Sequence, residues 1–373
     1  MNKILIMCDD LRIGGIQRLA LDQSYELNRM GILTTVLSLS AESHSTTVSF
    51  DWLEKDLIED LAVKLEFFPG SRFEQFLSLR KLFKNNDYIY VVGHTLRGSS
   101  LAWLLRFLFR YKFILITTIH QLPSLSAPVQ RVKRYIYSQF SDQLLIFSKI
   151  AKIDWDNRRS RNPFIWLISN RKKVEVCRNG VYLNRLPTVE NEIGLQPKLA
   201  QRLIYIGRLT SWKGLDTFLA LAQMPALKGL KILMITPSDP KSYLRNIDRD
   251  LLSRIEYQTG KSVTQLNFSV GDIHIYPANP GAIQPRNYVE GVSINVLEMA
   301  CLGIPSLITK GGSETWSELL ELGMIKEVDW SDLESIAHYI KEDFRVPTIE
   351  AVRKSRALID IGKNLNLILN LTR

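Results

Sequence analysis

What most restricts the fold of this chain is a repeated alternation. Short apolar runs, each closed by glycine or polar residues, alternate with segments whose apolar residues recur at helical spacing. Lys3–Cys8 reads as a buried strand that ends in Asp9-Asp10. An amphipathic helix follows to Met30, Gly31 closes it, and Leu33–Leu39 is the next strand. The spacing predicts further strands over 63–68, 88–92, 113–119, 143–147 and 174–177, with helices over 73–83, 101–109 and 129–140. From Arg202 the pattern starts again. Strands are predicted over 202–206, 231–236, 253–257, 272–277, 304–308 and about 324–328, and helices over 213–223, 241–251, 291–302 and 314–322. Strand–helix–strand units of this kind build doubly wound parallel sheets. A chain of 373 residues with 46% apolar content can bury two such cores. The expected division is a first domain over 1–183, a linker over 184–201 with two prolines, a second domain over 202–350, and a terminal helix over 351–373 broken near Gly362.

Parallel sheets bind ligands at the carboxyl ends of their strands, so the polar residues there are the candidates. In the first half these are Gly14 and Gly15 after the first strand, His94, His120, Ser148 and Asn179. The glycine pair is not part of a G-x-G-x-x-G, so no dinucleotide site is read. In the second half, IYIGRLTSWKGLDTFLALA (204–222) runs from a strand through a loop with Arg208 and Lys213 into a helix. Two cations on a strand-to-helix loop suit a phosphate, and the helix dipole adds to them. NYVEGVSINVLEMACLGIP (287–305) carries Glu290 and Glu298, eight positions apart. With a helix predicted from Gly291, eight steps place the carboxylates roughly 11–12 Å apart. The backbone N–H groups of Val292, Ser293 and Ile294 then open the helix and can meet an anionic or polyhydroxylated ligand.

Taken together, the G-R-L…K-G loop and the E-x7-E stretch resemble the retaining nucleotide-sugar glycosyltransferases of family 4, and the likeness covers nearly the whole chain. It implies a GT-B fold of two Rossmann-like domains facing a deep cleft, with the terminal helix crossing back onto the first. It also implies that Arg208 and Lys213 grip the donor diphosphate, Glu290 holds the donor sugar, Glu298 holds the ribose, and Gly14-Gly15 face the donor. Retention is then a front-face transfer with His120 near the sugar's C6 hydroxyl; the expected donor is a UDP-sugar, and no further cofactor is expected. The acceptor is a glycan, lipid-linked, of a bacterial surface polymer such as lipopolysaccharide or capsule. Three stretches depart from the family pattern: His120-Gln121-Leu-Pro, Thr236-Pro-Ser-Asp-Pro, and the long approach NPGAIQPRN (279–287) to Glu290. Two rivals stay open at this point: a GT-B epimerase acting on UDP-N-acetylglucosamine, and a basic nucleic-acid-binding protein.

Composition limits the partners. The net charge of +10 is uneven: residues 97–178 hold 16 basic and 4 acidic residues, interleaved with aromatics. Such a tract, over 97–173, is expected to meet an anionic membrane surface rather than nucleic acid, since no nucleic-acid module is recognisable. No run of about 18 apolar residues and no leader peptide are found, so a cytoplasmic protein, peripheral on the inner face of the plasma membrane, is expected. Cys8, Cys177 and Cys301 are far apart and suit a reducing compartment. The one D-x-D, Asp248-Arg-Asp250, falls in a predicted charged helix facing water, and no metal is expected.

Overall fold

A computed structural model describes residues 3–11, 14–40, 53–120, 139–147, 149–161, 174–187, 199–210, 213–245, 247–278 and 292–370. The chain divides into two compact units. The first takes in 3–40, 54–182 and 361–370 where described; the second takes in Leu53 and, where described, Leu183–Asp360.

Among the described residues, seven strands form the first unit's sheet: β1 (Lys3–Cys8), β2 (Leu33–Ser38), β3 (Lys64–Phe67), β4 (Tyr88–Gly93), β5 (Ile114–Ile119), β6 (Gln143–Ile146) and β7 (Val174–Val176). Their order is β3-β2-β1-β4-β5-β6-β7, and every pairing is parallel. Ile4 to Cys8 are all buried, as a strand covered on both faces requires. The chain order reverses between β1 and β4, so the carboxyl ends of those two strands flank the switch point. The second unit repeats the plan with β8 (Arg202–Ile206), β9 (Lys231–Thr236), β10 (Ile255–Thr259), β11 (Asp272–Tyr276), β12 (Ser306–Thr309) and β13 (Ile325–Val328). All pairings are again parallel, in the order β10-β9-β8-β11-β12-β13, and the reversal falls between β8 and β11. The fold is therefore α/β, with two doubly wound Rossmann-like sheets.

Helix boundaries follow local chemistry. Helix Arg72–Asn85 opens with a capping box in which the Ser71 side chain accepts from the Glu74 N–H and Glu74 accepts from the Ser71 N–H. Thr95 caps Leu96–Phe109 by accepting from the Gly98 N–H. The helix predicted from Gly291 instead begins at Ile294, because Ser293 is extended (φ −78°, ψ 164°) and occupies the N-cap position. The helix predicted over 241–251 is two short ones, Lys241–Leu244 and Arg249–Arg254, and Asp248 sits extended at the start of the second. Asp248-Arg-Asp250 thus straddles a helix start rather than lying inside one. The terminal break falls at Asp360, whose extended backbone (ψ 119°) separates Ile349–Ile359 from Ile361–Asn370. The Ile361 N–H then bonds the Val181 carbonyl of its own unit. Helices Lys149–Arg161 and Leu333–His338 fall where no helix was predicted from the sequence. Most of the helix predicted over 129–140 lies outside the described residues.

Phe218 packs at the centre of the second unit's core, fully buried, with its ring 5.2 Å from that of Tyr205. Phe218→Ala is expected to cost about 3–5 kcal/mol of unfolding free energy, read as a lower denaturant midpoint with an unchanged slope.

Candidate functional site

In the first unit, His94 and His120 leave the ends of β4 and β5, which are neighbours in the sheet. The His94 N–H donates to Met7 O, which fastens the turn to β1. His94 is buried, its Nε2 lies 2.8 Å from Gln23 Oε1, and its Nδ1 lies 3.0 Å from His120 Nε2. An amide oxygen accepts, so His94 carries its proton on Nε2 and presents a bare Nδ1. His120 then carries its proton on Nε2, within reach of His94 Nδ1 and of Thr118 Oγ1 at 2.9 Å. Its remaining nitrogen, Nδ1, is an acceptor on a partly exposed ring that stacks on Phe147. Desolvation drives the His94 imidazolium pKa down to about 3. Desolvation and then the neighbouring His94 push His120 well below its usual value. Both rings are neutral near pH 7. His120 is therefore a weak base but a well-oriented hydrogen-bond acceptor.

Around the β1 and β4 ends, Thr95 Oγ1 donates to Asp9 Oδ1 at 2.8 Å and Gln17 Nε2 to Asp10 Oδ1 at 3.0 Å. Gly14 has an extended backbone (φ 178°) that any residue adopts, and a Cβ built on Gly15 would meet nothing within 4 Å. The backbone of Gly14 and the space around Gly15 thus do not themselves call for glycine. Asn179 follows β7; its carbonyl accepts from Asn364 Nδ2 at 3.0 Å, and its own Oδ1 is buried with no partner among the described residues. Ser148 lies outside the described residues.

In the second unit the candidates gather at the β8/β11 switch point. The loop leaving β8 carries Arg208, which is exposed, and Lys213, whose Nζ donates to the hydroxyl of Tyr276 at 2.7 Å. Tyr276 is the last residue of β11. Gly214 follows in a left-handed conformation (φ 72°), and a Cβ there would come within 2.1 Å of the Pro277 carbonyl oxygen, so only glycine brings the loop this close to the end of β11. Asn295 Nδ2 donates to Ile206 O, the last carbonyl of β8, at 3.2 Å. That bond sets the start of helix Ile294–Cys301 beside the same loop. No side chain caps this helix. Two hydroxyls beside it, Ser293 Oγ and Thr210 Oγ1, are buried without a partner among the described residues. A cation, an uncapped helix start and two unpartnered hydroxyls together suit a polyanion.

Glu298, in the same helix, is 4% exposed, and its Oε1 accepts from Arg185 Nη2 at 2.5 Å. Arg185 fell inside the predicted linker 184–201. At its start the structure places a short 3-10 turn, Leu183–Arg185, whose arginine side chain is fully buried. Arg356 secures the turn by donating to the carbonyls of Leu183 and Cys301. Sequence spacing does not point to Arg185, Tyr276 or Gln23; only a cation in a proline-flanked stretch and a tyrosine ending a strand hint at the first two. Glu290 and Gly291 lie outside the described residues. Val292 is buried just ahead of the helix start. Among the described residues no three histidine, cysteine or acidic side chains are placed to hold a metal ion.

No family model matches the chain, and no curated protein matches it. Solved structures do match along its whole length. Anabaena Alr3699/HepE in complex with UDP-glucose superposes with a TM-score of 0.69 at 15% identity, covering 99% of each chain. Sucrose-phosphate synthase from Thermosynechococcus elongatus gives 0.66 at 15% identity, over 100% of this chain and 99% of the other. The lipopolysaccharide outer core galactosyltransferase WaaB in its apo form gives 0.61 at 12% identity over 100% of both. The fold is that of the GT-B glycosyltransferases.

Glu298→Ala is expected to lose about 3–5 kcal/mol, because it removes the carboxylate paired with the buried Arg185 charge; equilibrium denaturation reads this directly. Acid is expected to destabilise the protein through His94, His120 and the fully buried His274, whose pKa is likewise lowered by burial to about 3. Each folded pKa lies below the unfolded value, so this stability is complete above about pH 6.5 and is lost as pH falls toward the folded pKa. The expected slope is about 1.4 kcal/mol per pH unit for each histidine. Denaturant midpoints that do not move between pH 7.5 and about pH 5 would contradict it.

Proposed function

We propose that this protein is a retaining glycosyltransferase that moves a sugar from a nucleotide diphosphate donor, a UDP-sugar, to a glycan acceptor. The observation that carries the reading is the second unit's switch point, where Lys213, the uncapped start of helix Ile294–Cys301, and the hydroxyls of Thr210 and Ser293 meet. Arg208 adds a second cation from the same loop. The departing diphosphate develops negative charge, and these groups are fixed in advance to receive it. In this reading the protein's own donors and cations meet that charge, and no resident metal takes part. Glu290 holds the donor sugar. Glu298 holds the ribose from a side chain already fixed by Arg185.

The chemistry is a front-face displacement. The bond from the anomeric carbon to the diphosphate oxygen breaks, and the bond from that carbon to the acceptor oxygen forms on the same face. The acceptor's proton passes to the departing diphosphate oxygen. His120 supports this as a hydrogen-bond acceptor for a sugar hydroxyl, since a ring with so depressed a pKa is a poor proton acceptor. Gly14 and Gly15 are proposed to admit the donor closely; a Cβ on Gly15 would meet nothing of the fold itself. The acceptor is a lipid-linked glycan of a bacterial surface polymer, lipopolysaccharide or capsule, reached by a protein seated at the cytoplasmic face of the membrane through its basic tract. WaaB, a lipopolysaccharide galactosyltransferase of the same fold, supports that choice.

A thermal-shift panel of UDP-, GDP- and ADP-sugars tests the reading. A UDP-sugar at a hundred times its Kd should add about 2.7 kcal/mol of stability, and no response to any nucleotide sugar would sink the proposal. Lys213→Ala is expected to weaken UDP binding about ten- to a hundredfold. Gly15→Leu is expected to leave the melting midpoint in place while lowering donor affinity. Equal donor affinity in that variant would remove the glycine pair from the site. Glu290→Ala is expected to damage turnover more than binding of the bare nucleotide.

A further inference from the structure

Four large apolar side chains stand out from one side of the first unit. Phe73 and Phe107 are each 69% exposed, Leu108 52% and Leu77 44%. Phe73 and Leu77 lie one turn apart on helix Arg72–Asn85; Phe107 and Leu108 lie at the end of helix Leu96–Phe109. The two helices join through aromatic contacts. The Phe76 and Phe109 rings are 5.9 Å apart, and the Arg80 guanidinium sits 4.3 Å over the Phe109 ring. The exposed groups are therefore parts of one surface.

Its charge is one-sided. Residues 72–85 and 96–112 hold eight basic side chains and one acidic one. The acid, Glu74, is engaged in the capping box. Two of the cations are internal: Arg97 donates to Gln75 Oε1, and Arg106 clamps Phe113 O, Phe140 O and Asp142. Arg72, Arg80, Lys81, Lys84, Arg110 and Lys112 remain exposed. Exposed phenylalanine and leucine ringed by flexible cations, with almost no acid, match the boundary between lipid headgroups and chains in an anionic bilayer. A polyphosphate strand would use the cations but leave the apolar groups in water.

We infer that helices Arg72–Asn85 and Leu96–Phe109 form the face that docks on an anionic membrane, with Phe73, Leu77, Phe107 and Leu108 entering the headgroup boundary and the surrounding cations pairing with lipid phosphates. This deepens the proposed function, on which it rests only for the lipid-linked acceptor. It also moves the contact from the tract 97–173, two of whose cations are structural, to a face that includes a helix ahead of that tract.

Cosedimentation of the full chain with vesicles tests the assignment. Binding to phosphatidylcholine mixed with phosphatidylglycerol should exceed binding to phosphatidylcholine alone by about tenfold or more. The double variant Phe73→Ser, Phe107→Ser should lose about tenfold in vesicle affinity while keeping its melting midpoint and its stabilisation by UDP. Lys81→Glu with Lys84→Glu should remove the preference for anionic lipid. Equal binding to both vesicles, or a double variant that binds as well as the parent, would overturn the proposal. So would a duplex DNA that displaces the protein from vesicles, or a self-associated species that the double variant dissolves. A UDP response without vesicle binding defeats this surface alone; vesicle binding without any nucleotide-sugar response defeats the enzymatic reading alone.

Discussion

Every described strand in both sheets runs parallel to its neighbours, and that constraint governs where function can sit. Parallel strands need crossovers, so their carboxyl ends collect on one edge, while their middles must be apolar on both faces. At each switch point the chain leaves in opposite directions from adjacent strands, and side chains from distant sequence meet there. Lys213 and Tyr276 are 63 residues apart yet share a hydrogen bond. His94 meets His120 from the neighbouring strand end, and Gln23 from helix Gly15–Arg29, in the same way. The two units apply one plan to different ends: neutral, oriented acceptors in the first, cations and open backbone donors in the second.

Much of this was legible in the sequence because it is local. Runs such as Ile4–Cys8 and Ile232–Ile235 are apolar throughout and are followed by polar residues, and the structure places strands on them. The loop with Arg208 and Lys213 announced itself by its charge between a strand and a helix. What the sequence hides is pairing at long range. Arg185 looked like a linker residue, since prolines and a missing period surround it. Its buried bond to Glu298 spans 113 positions, and no local spacing encodes it. The helix start at Ile294 rather than Gly291 turns on one residue, Ser293, taking the extended cap conformation.

Charge carries a similar lesson. Counting cations over 97–173 marks a basic half but cannot sort them. Arg106 spends its donors on two carbonyls and a carboxylate inside the unit, and Arg97 on a glutamine. Those two side chains organise the fold, while Arg80, Lys81 and Lys84, on a helix the tract does not include, face outward. The buried Arg185–Glu298 pair acts as a further fixed point: it holds rigid a carboxylate whose proposed task is to meet a ribose.

The account turns on a diphosphate lying at the carboxyl ends of β8 and β11. A crystal of the protein soaked with UDP tests it most directly. The account predicts phosphate density within hydrogen-bond distance of Lys213 Nζ and of the first N–H groups of helix Ile294–Cys301. UDP bound elsewhere, with Lys213 Nζ still donating to the Tyr276 hydroxyl, would contradict it.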